Sequence, residues 1–141
     1  MKLMILNGPN LNFTGIREQS VYGTMTYRDM VAMIEQEAEK RGHQVSVRQT
    51  NHEGLLIDWI QEAYLEGYEG IVINPGAYTH TSYALHDAIK SVPIPTLEVH
   101  LSDIHQREAF RRISLTAPAC VGQICGHGPQ GYVMAMDQLA R

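Results

Sequence analysis

Apolar and polar positions along the chain fall into blocks that switch between strand-like and helix-like periods. Leu3 to Leu6 is a short unbroken apolar run that stops at Asn7-Gly8-Pro9-Asn10. A strand apolar on both sides predicts burial in a parallel sheet. The pattern then lapses from Asn7 to Gly23, where Gly8, Pro9 and Gly15 mix with Arg17, Glu18, Gln19 and Ser20. That predicts a loop well beyond the roughly 2–6 residues usual after such a strand. Long loops at the C-terminal ends of parallel strands often carry function. Thr26 predicts the cap of a helix reaching about Arg41, with Tyr27, Met30, Val31, Ile34 and Ala38 as its apolar stripe and Gly42 as its stop. Val45 to Arg48 alternates, as a half-exposed strand does. Residues 53–66 predict a second helix with Leu55, Leu56, Trp59, Ile60 and Ala63 on one side, and Gly67 and Gly70 at its exit. Ile71-Val72-Ile73 is the clearest buried strand, followed by Asn74-Pro75-Gly76. Thr81 or Ser82 opens a helix through about Lys90, and Thr96 to Val99 form a fourth strand. A short polar helix is expected over 105–112, a fifth strand within 115–125, and a last helix over about Tyr132–Leu139.

Five strands with helices between them, in 141 residues, predict an α/β chain. The expected architecture is a flavodoxin-like three-layer sandwich around a five-stranded parallel sheet, in one domain spanning 1–141. A chain of this length buries enough surface to need no staples. Cys120 and Cys125, spaced C-x4-C, form neither a disulfide framework nor a common zinc or redox pattern, and read as core or buried-edge thiols. Charge adds little: 11 Lys plus Arg against 15 Asp plus Glu give a formal -4, which argues weakly against a nucleic-acid or anionic-membrane surface. No segment reaches the roughly 18 apolar residues of a membrane span, and the start lacks a signal-peptide core, so a cytoplasmic protein is expected.

The chemistry gathers at strand ends. The first strand delivers Asn7 and Asn10. The third delivers Asn74, with Tyr78 and His80 behind it. The fourth delivers Glu98 and His100, then Ser102, Asp103, His105 and Arg107. In an open parallel sheet these ends meet in one crevice. Glu98 and His100, two apart, share a strand face, where a carboxylate fixes the tautomer of an imidazole and favours its protonated form. Arg17 near Tyr22 suggests a guanidinium that stabilises phenolate and makes the tyrosine a base. Each residue also has an ordinary reading: Asn7 and Asn74 as turn formers, His100 as a surface histidine, Tyr22 as a packed surface ring. The seven histidines include no H-x-x-x-H or HExxH element, and neither a G-x-G-x-x-G nor a Walker A loop is present, so no metal and no cofactor are expected. Only Lys2, Lys40 and Lys90 exist and none ends a buried strand, which argues against imine chemistry.

These residues carry a resemblance along essentially the whole chain. ILNGPNLN at 5–12, GIRE at 15–18, VYG at 21–23, INPGAYTHTS at 73–82, ALHDAI at 84–89, EVHLSDIHQREAFR at 98–111 and Pro129-Gln130-Gly131-Tyr132 appear in order and at matching spacing. The chain resembles the type II 3-dehydroquinate dehydratases, or type II 3-dehydroquinases. The resemblance implies reversible dehydration of 3-dehydroquinate to 3-dehydroshikimate through an enolate, serving aromatic biosynthesis by the shikimate pathway or quinate breakdown. It implies Tyr22 as catalytic base, Arg17 on a lid loop beside it and Arg107 as a second arginine holding it ionised. Asn10 is implied as stabilising the enolate, His100 as general acid and Glu98 as its orienting carboxylate. Asn74, His80, Ser102 and Arg111 are implied as substrate-binding, with Leu101 beside the substrate carboxylate and Asp87 offered across a subunit interface. A dodecamer of trimers is implied, with no metal, cofactor or Schiff-base lysine.

The chain departs from that pattern at several places. Gln19 replaces a usual proline after the lid Arg-Glu, which removes a φ restraint. Phe13-Thr14 replaces an aliphatic pair, Leu115 an aromatic, and His127 an apolar residue. Asp103 stands where Asn is usual and adds charge near an anion-binding loop. Two other classes compete with the dehydratase: a flavodoxin-like binding or response-regulator module, for which Asn7-Gly8-Pro9-Asn10 supplies neither an acidic pocket nor a phosphate loop, and a scaffold that has lost catalysis.

Overall fold

The computed structural model describes residues 1–16, 18–22 and 24–141, with Tyr22 described by its backbone alone. Among them the strands are β1 (Lys2–Asn7), β2 (Gln44–Gln49), β3 (Gly70–Asn74), β4 (Thr96–His100) and β5 (Gly122–Cys125). The helices are α1 (Gln19–Tyr22), α2 (Tyr27–Lys40), α3 (Glu53–Leu65), α4 (Tyr83–Lys90) and α5 (Gln130–Leu139). All strand pairs are parallel, in the order β2-β1-β3-β4-β5. With helices on both faces this is a flavodoxin-like three-layer α/β sandwich.

The sheet's two faces follow from the alternation of side chains along each strand. Leu3 and Ile5 of β1, Val72 of β3 and Leu97 and Val99 of β4 pack with Met30 and Ile34 of α2 and Val133 and Met136 of α5. Met4, Leu6, Ile71 and Ile73 pack on the other face with Leu56 and Ile60 of α3 and Leu85 and Ile89 of α4. Each such aliphatic side chain contributes roughly 1.5–3 kcal/mol on burial. Strands β1, β3 and β4 are buried almost throughout, and β2, at the edge, is half-exposed, as the apolar runs imply.

The expected helix signals act as expected. Thr26 caps α2 by accepting from the Asp29 N–H at 3.1 Å, and Ser82, not Thr81, caps α4 by accepting from the Leu85 N–H at 2.9 Å. On α3 the buried stripe is Leu56, Ile60 and Ala63, while Leu55 and Trp59 are only partly covered. Two expectations need correction. The long first loop contains a 3-10 turn at Leu11–Phe13 and the short α1. The helix expected over 105–112 is instead two 3-10 turns, Ile104–Gln106 and Ala109–Arg111. Arg107, extended at φ -98 and ψ -164, interrupts them, and the Asp103 carboxylate caps the first by accepting from the His105 N–H at 3.1 Å.

The sheet register sets the site. Asn7 of β1 lies beside Asn74 of β3, and Glu98 of β4 lies beside Gln123 of β5. The loops leaving β1 and β3 then run backbone against backbone. The Gly8 N–H donates to the Asn74 carbonyl at 2.8 Å, and a Cβ on Gly8 would stand 2.4 Å from the Pro75 carbonyl oxygen. Only glycine permits that approach.

Candidate active site

A cavity of about 120 Å³ opens where β1, β3 and β4 end, lined by Pro9, Asn10, Leu11, Asn74, Gly76, Ala77, His100, Leu101 and Arg111. The crevice expected at the strand ends therefore exists, and it gathers Asn10, Asn74, His100, Leu101 and Arg111 from sequence positions a hundred residues apart. Arg17 and the side chain of Tyr22 lie outside the described residues.

His100 and Glu98 form one wall. Both side chains point to the α3–α4 face, because they are two apart on β4. His100 Nε2 donates to Glu98 Oε2 at 2.9 Å, and the two residues are 5% and 0% exposed. Nδ1 of His100 hydrogen-bonds to none of the described residues, so it is the ring nitrogen open to a ligand. Glu98 is held by more than the imidazole. Its Oε1 accepts from the hydroxyls of Thr79, at 3.0 Å, and Thr116; its Oε2 accepts from the Ser114 hydroxyl at 2.8 Å and the Gln123 amide at 2.7 Å. Burial alone would push this carboxyl up. The hydrogen bond and charge of His100, with the Thr116 and Gln123 donors, outweigh it and hold the group at about 2, well below its ordinary 4.5.

The opposite wall comes from the β1 loop. Asn10 adopts the left-handed conformation at φ 67, which asparagine tolerates better than most residues. Its N–H donates to Asn51 Oδ1 at 3.0 Å, and Asn51 Oδ1 also accepts from Gln49 Nε2 at 3.2 Å. The Asn10 carboxamide itself hydrogen-bonds to none of the described residues. Asn74 is different. Its Nδ2 donates to the Tyr132 hydroxyl at 3.1 Å and its Oδ1 accepts from the Gly76 N–H at 3.2 Å, so one N–H and one lone pair remain for a ligand. Tyr132, fully buried on α5, in turn donates to Asn7 Oδ1, and Asn7 Nδ2 reaches the Arg48 carbonyl at 3.4 Å. Burial pushes the Tyr132 hydroxyl up, so it remains a neutral donor.

The remaining expected residues surround these walls. His80 Nδ1 donates to the Ile113 carbonyl at 2.8 Å, and burial lowers its pKa, with the charges of His100 and Arg111 adding to that. Arg111 is anchored by Nε donating to Glu108 at 2.7 Å, and its guanidinium stacks 4.9 Å from the Phe110 ring centre. The loop after β4 is tied back on one side: Gly126 N–H donates to the Ser102 carbonyl at 3.1 Å and Gly128 N–H to the Leu101 carbonyl at 3.1 Å. Its other side is open, since the Ser102 N–H and hydroxyl bond to none of the described residues. Arg107 is half-buried at the break between the two 3-10 turns. Asp87 is exposed on α4 and is not part of the cavity lining.

The departures fall in place physically. Gln19 supplies a tie of its own, with Nε2 donating to the Gly15 carbonyl at 2.8 Å. Asp103 spends its carboxylate on the cap described above. Leu115 acts through its backbone, donating to the Thr79 carbonyl at 2.6 Å and accepting from His86 Nδ1 at 2.6 Å. His127 is exposed. Burial, and then the Glu98 charge, push the Cys120 and Cys125 thiols up to about 12 and about 11, so both stay protonated. Among the described residues no three His, Cys, Asp or Glu side chains gather as a metal site requires, and no helix is long and apolar enough to cross a membrane.

Sequence reasoning missed Thr79, Ser114, Thr116 and Gln123 around Glu98, Asn51 behind Asn10, and Tyr132 behind Asn74. Thr79 and Tyr132 lie inside motifs quoted above, which could have flagged them, whereas Gln123 meets Glu98 through the β4–β5 register.

A buried carboxylate–imidazole pair facing amides with hydrogen-bonding capacity to spare and an arginine, at the switch of an open parallel sheet, is an arrangement suited to acid–base chemistry on a small polar molecule. The family model described as dehydroquinase class II matches residues 1–140. The 3-dehydroquinate dehydratase of Clostridium acetobutylicum is 57% identical over 139 residues, covering 99% of this chain and 96% of that protein. That of Clostridium beijerinckii is 55% identical over 139 residues, covering 99% and 95%. The crystal structure of the type II dehydroquinase from Butyrivibrio crossotus superposes with a TM-score of 0.99 at 54% identity, covering 100% of this chain and 98% of that one. The chain belongs to the class II dehydroquinase family, the type II 3-dehydroquinate dehydratases, which are hydro-lyases.

Proposed function

We propose that this chain, as one domain acting in the cytoplasm, catalyses the reversible dehydration of 3-dehydroquinate to 3-dehydroshikimate without metal or cofactor. The observation that carries the mechanism is the His100–Glu98 pair at the cavity, with Nε2 committed to the carboxylate and Nδ1 open. Tyr22, ionised beside Arg17 and Arg107, removes the C2 proton, and the C2–H electron pair moves onto the ketone as an enolate. The Asn10 carboxamide, which bonds to none of the described residues, supports that oxygen directly or through a water. The enolate then re-forms the ketone and builds the C1–C2 double bond. The C1 hydroxyl leaves with the His100 Nδ1 proton as water. Glu98 keeps the ring in the tautomer this needs.

Substrate positioning follows from the groups left open. The Ser102 N–H and hydroxyl, beside Leu101, suit the substrate carboxylate. Arg111, His80 and the free half of the Asn74 amide suit the ring hydroxyls. Asp87, exposed and away from the cavity, fits a role across a subunit interface in a homododecamer built of trimers, which the mass of the native particle tests.

The reaction is tested with EDTA-treated protein and 3-dehydroquinate, followed by the ultraviolet absorbance of the product enone. No signal overturns the proposal. Borohydride with substrate leaves activity intact if no imine forms. Tyr22→Phe removes nearly all turnover while substrate binding persists; retained turnover would strip Tyr22 of the base role.

A further inference from the structure

We infer that Thr79, Ser114, Thr116 and Gln123 form a neutral donor cage that sets how readily His100 gives up its acid proton, and so act as positioning residues for the dehydration step. The inference rests on the assignment of His100 as general acid and extends it to residues without contact to substrate.

The argument begins with proton counting. Three hydroxyls and one amide surround Glu98, on three separate segments: the 76–80 turn, the 114–116 stretch and β5. The hydroxyls also approach each other, Thr79 to Ser114 at 2.7 Å, Thr79 to Thr116 at 2.6 Å and Ser114 to Thr116 at 3.3 Å. Each hydroxyl owns one proton. Three protons therefore serve three contacts to the carboxylate and three among themselves, and rotation decides which are made at any moment.

That arrangement matters because the charge on the pair changes during catalysis. While His100 is protonated, the pair is neutral overall. Once Nδ1 has given its proton to the leaving hydroxyl, Glu98 is a fully buried anion facing a neutral ring. A carboxylate stabilised only by an imidazolium would hold that proton tightly and make a poor acid. Neutral donors stay with the anion in both states, and rotating hydroxyls tighten onto it as the imidazolium disappears, so they stabilise the deprotonated state more than the protonated one. The cage lowers the cost of losing the proton.

The other titratable groups facing the pair do not substitute for the cage. His80 shares the turn that carries Thr79, and burial disfavours its charged form. Cys120 follows Thr116 and Cys125 flanks His100 on β5, and both stay as neutral thiols. His105 Nε2 meets Gln123 Oε1 at 3.3 Å, on the side away from the carboxylate. Arg111, the arginine among the described residues of the cavity lining, is engaged with Glu108.

The test follows the His100 ring by nitrogen NMR against pH, with His100→Gln to assign its signal, alongside kcat and KM profiles. Thr116→Val removes one cage proton at nearly constant volume, and Gln123→Met removes another donor by a separate route. In both, the His100 titration is expected to move to higher pH by about half to one unit. The alkaline limb of kcat should move with it, and kcat below that limb should fall about three- to tenfold with KM within about twofold. Thr116→Ser, which keeps the hydroxyl, should restore all three. An unmoved His100 titration in both Thr116→Val and Gln123→Met overturns the cage. A titration that moves while the kcat limb stays put supports the cage and removes His100 from the acid role.

Discussion

Two buried polar networks reach the same cavity from opposite faces of one sheet, and they are built differently. On the α2–α5 face, Tyr132, Asn7 and Asn74 form a neutral chain with a fixed direction. The phenol has a single proton, given to Asn7, so it must accept from Asn74, whose remaining oxygen takes the Gly76 N–H. On the α3–α4 face, Glu98 is an anion at the centre of hydroxyls that can turn. A chain with one allowed direction fixes where an amide points. A hub with spare rotations accommodates a change of charge. The first should govern substrate binding and stability, and the second the chemical step.

Glu98→Gln attacks the hub and is the largest expected effect. It removes the anion that holds the His100 tautomer and turns cage donors against an amide N–H. Turnover should fall about 10²- to 10³-fold with little change in KM, measured by the enone assay. The same residue contributes to acid stability. Its carboxyl sits at about 2 in the folded protein against an ordinary 4.5, so its contribution is complete above about 4.5 and is lost as pH falls toward 2. Urea midpoints between pH 5 and 2.5 should therefore drop more steeply for the natural chain than for Glu98→Gln. Equal slopes would mean that other carboxyls dominate.

Tyr132→Phe breaks the neutral chain instead. It leaves Asn7 Oδ1 and Asn74 Nδ2 buried without that partner and should cost about 1–3 kcal/mol in denaturant unfolding. Freed to rotate, the Asn74 amide should raise KM several-fold while kcat changes less. A loss confined to kcat would erase the distinction between the two faces.

These networks differed in how far they could be read in advance. Leu3–Leu6 and Ile71–Ile73 are apolar on both sides, which marks buried parallel strands directly, while Thr96–Val99 is apolar on one face through Leu97 and Val99, and the two-residue period puts Glu98 and His100 on the other. The hydroxyl cage has no such signature. Thr79, Ser114 and Thr116 come from 3-10 turns and loops with no period to detect, and Gln123 becomes a neighbour of Glu98 only once the β4–β5 register is known. Tyr132 and Asn7 stand 125 residues apart, one on an expected helix and the other just past the expected first strand, joined by a sheet order that the local pattern does not contain. The helix expected over 105–112 failed for a related reason: polar spacing does not reveal an extended residue such as Arg107 within it.

Asp103 gives the smallest expected effect and the sharpest control. Its charge lies close in sequence to the open Ser102 N–H and hydroxyl, which raises the concern that it repels an anionic substrate. Its geometry says otherwise. Oδ1 accepts from the His105 N–H at 3.1 Å, and the turn it caps leads away from β4. Asparagine offers the same acceptor with no charge. Asp103→Asn should leave stability within about 0.5 kcal/mol and KM within about twofold at ordinary salt. A KM that falls tenfold at low salt and converges at high salt would show the carboxylate acting on the substrate through the field. That would add a charged wall to the cavity that neither buried network supplies.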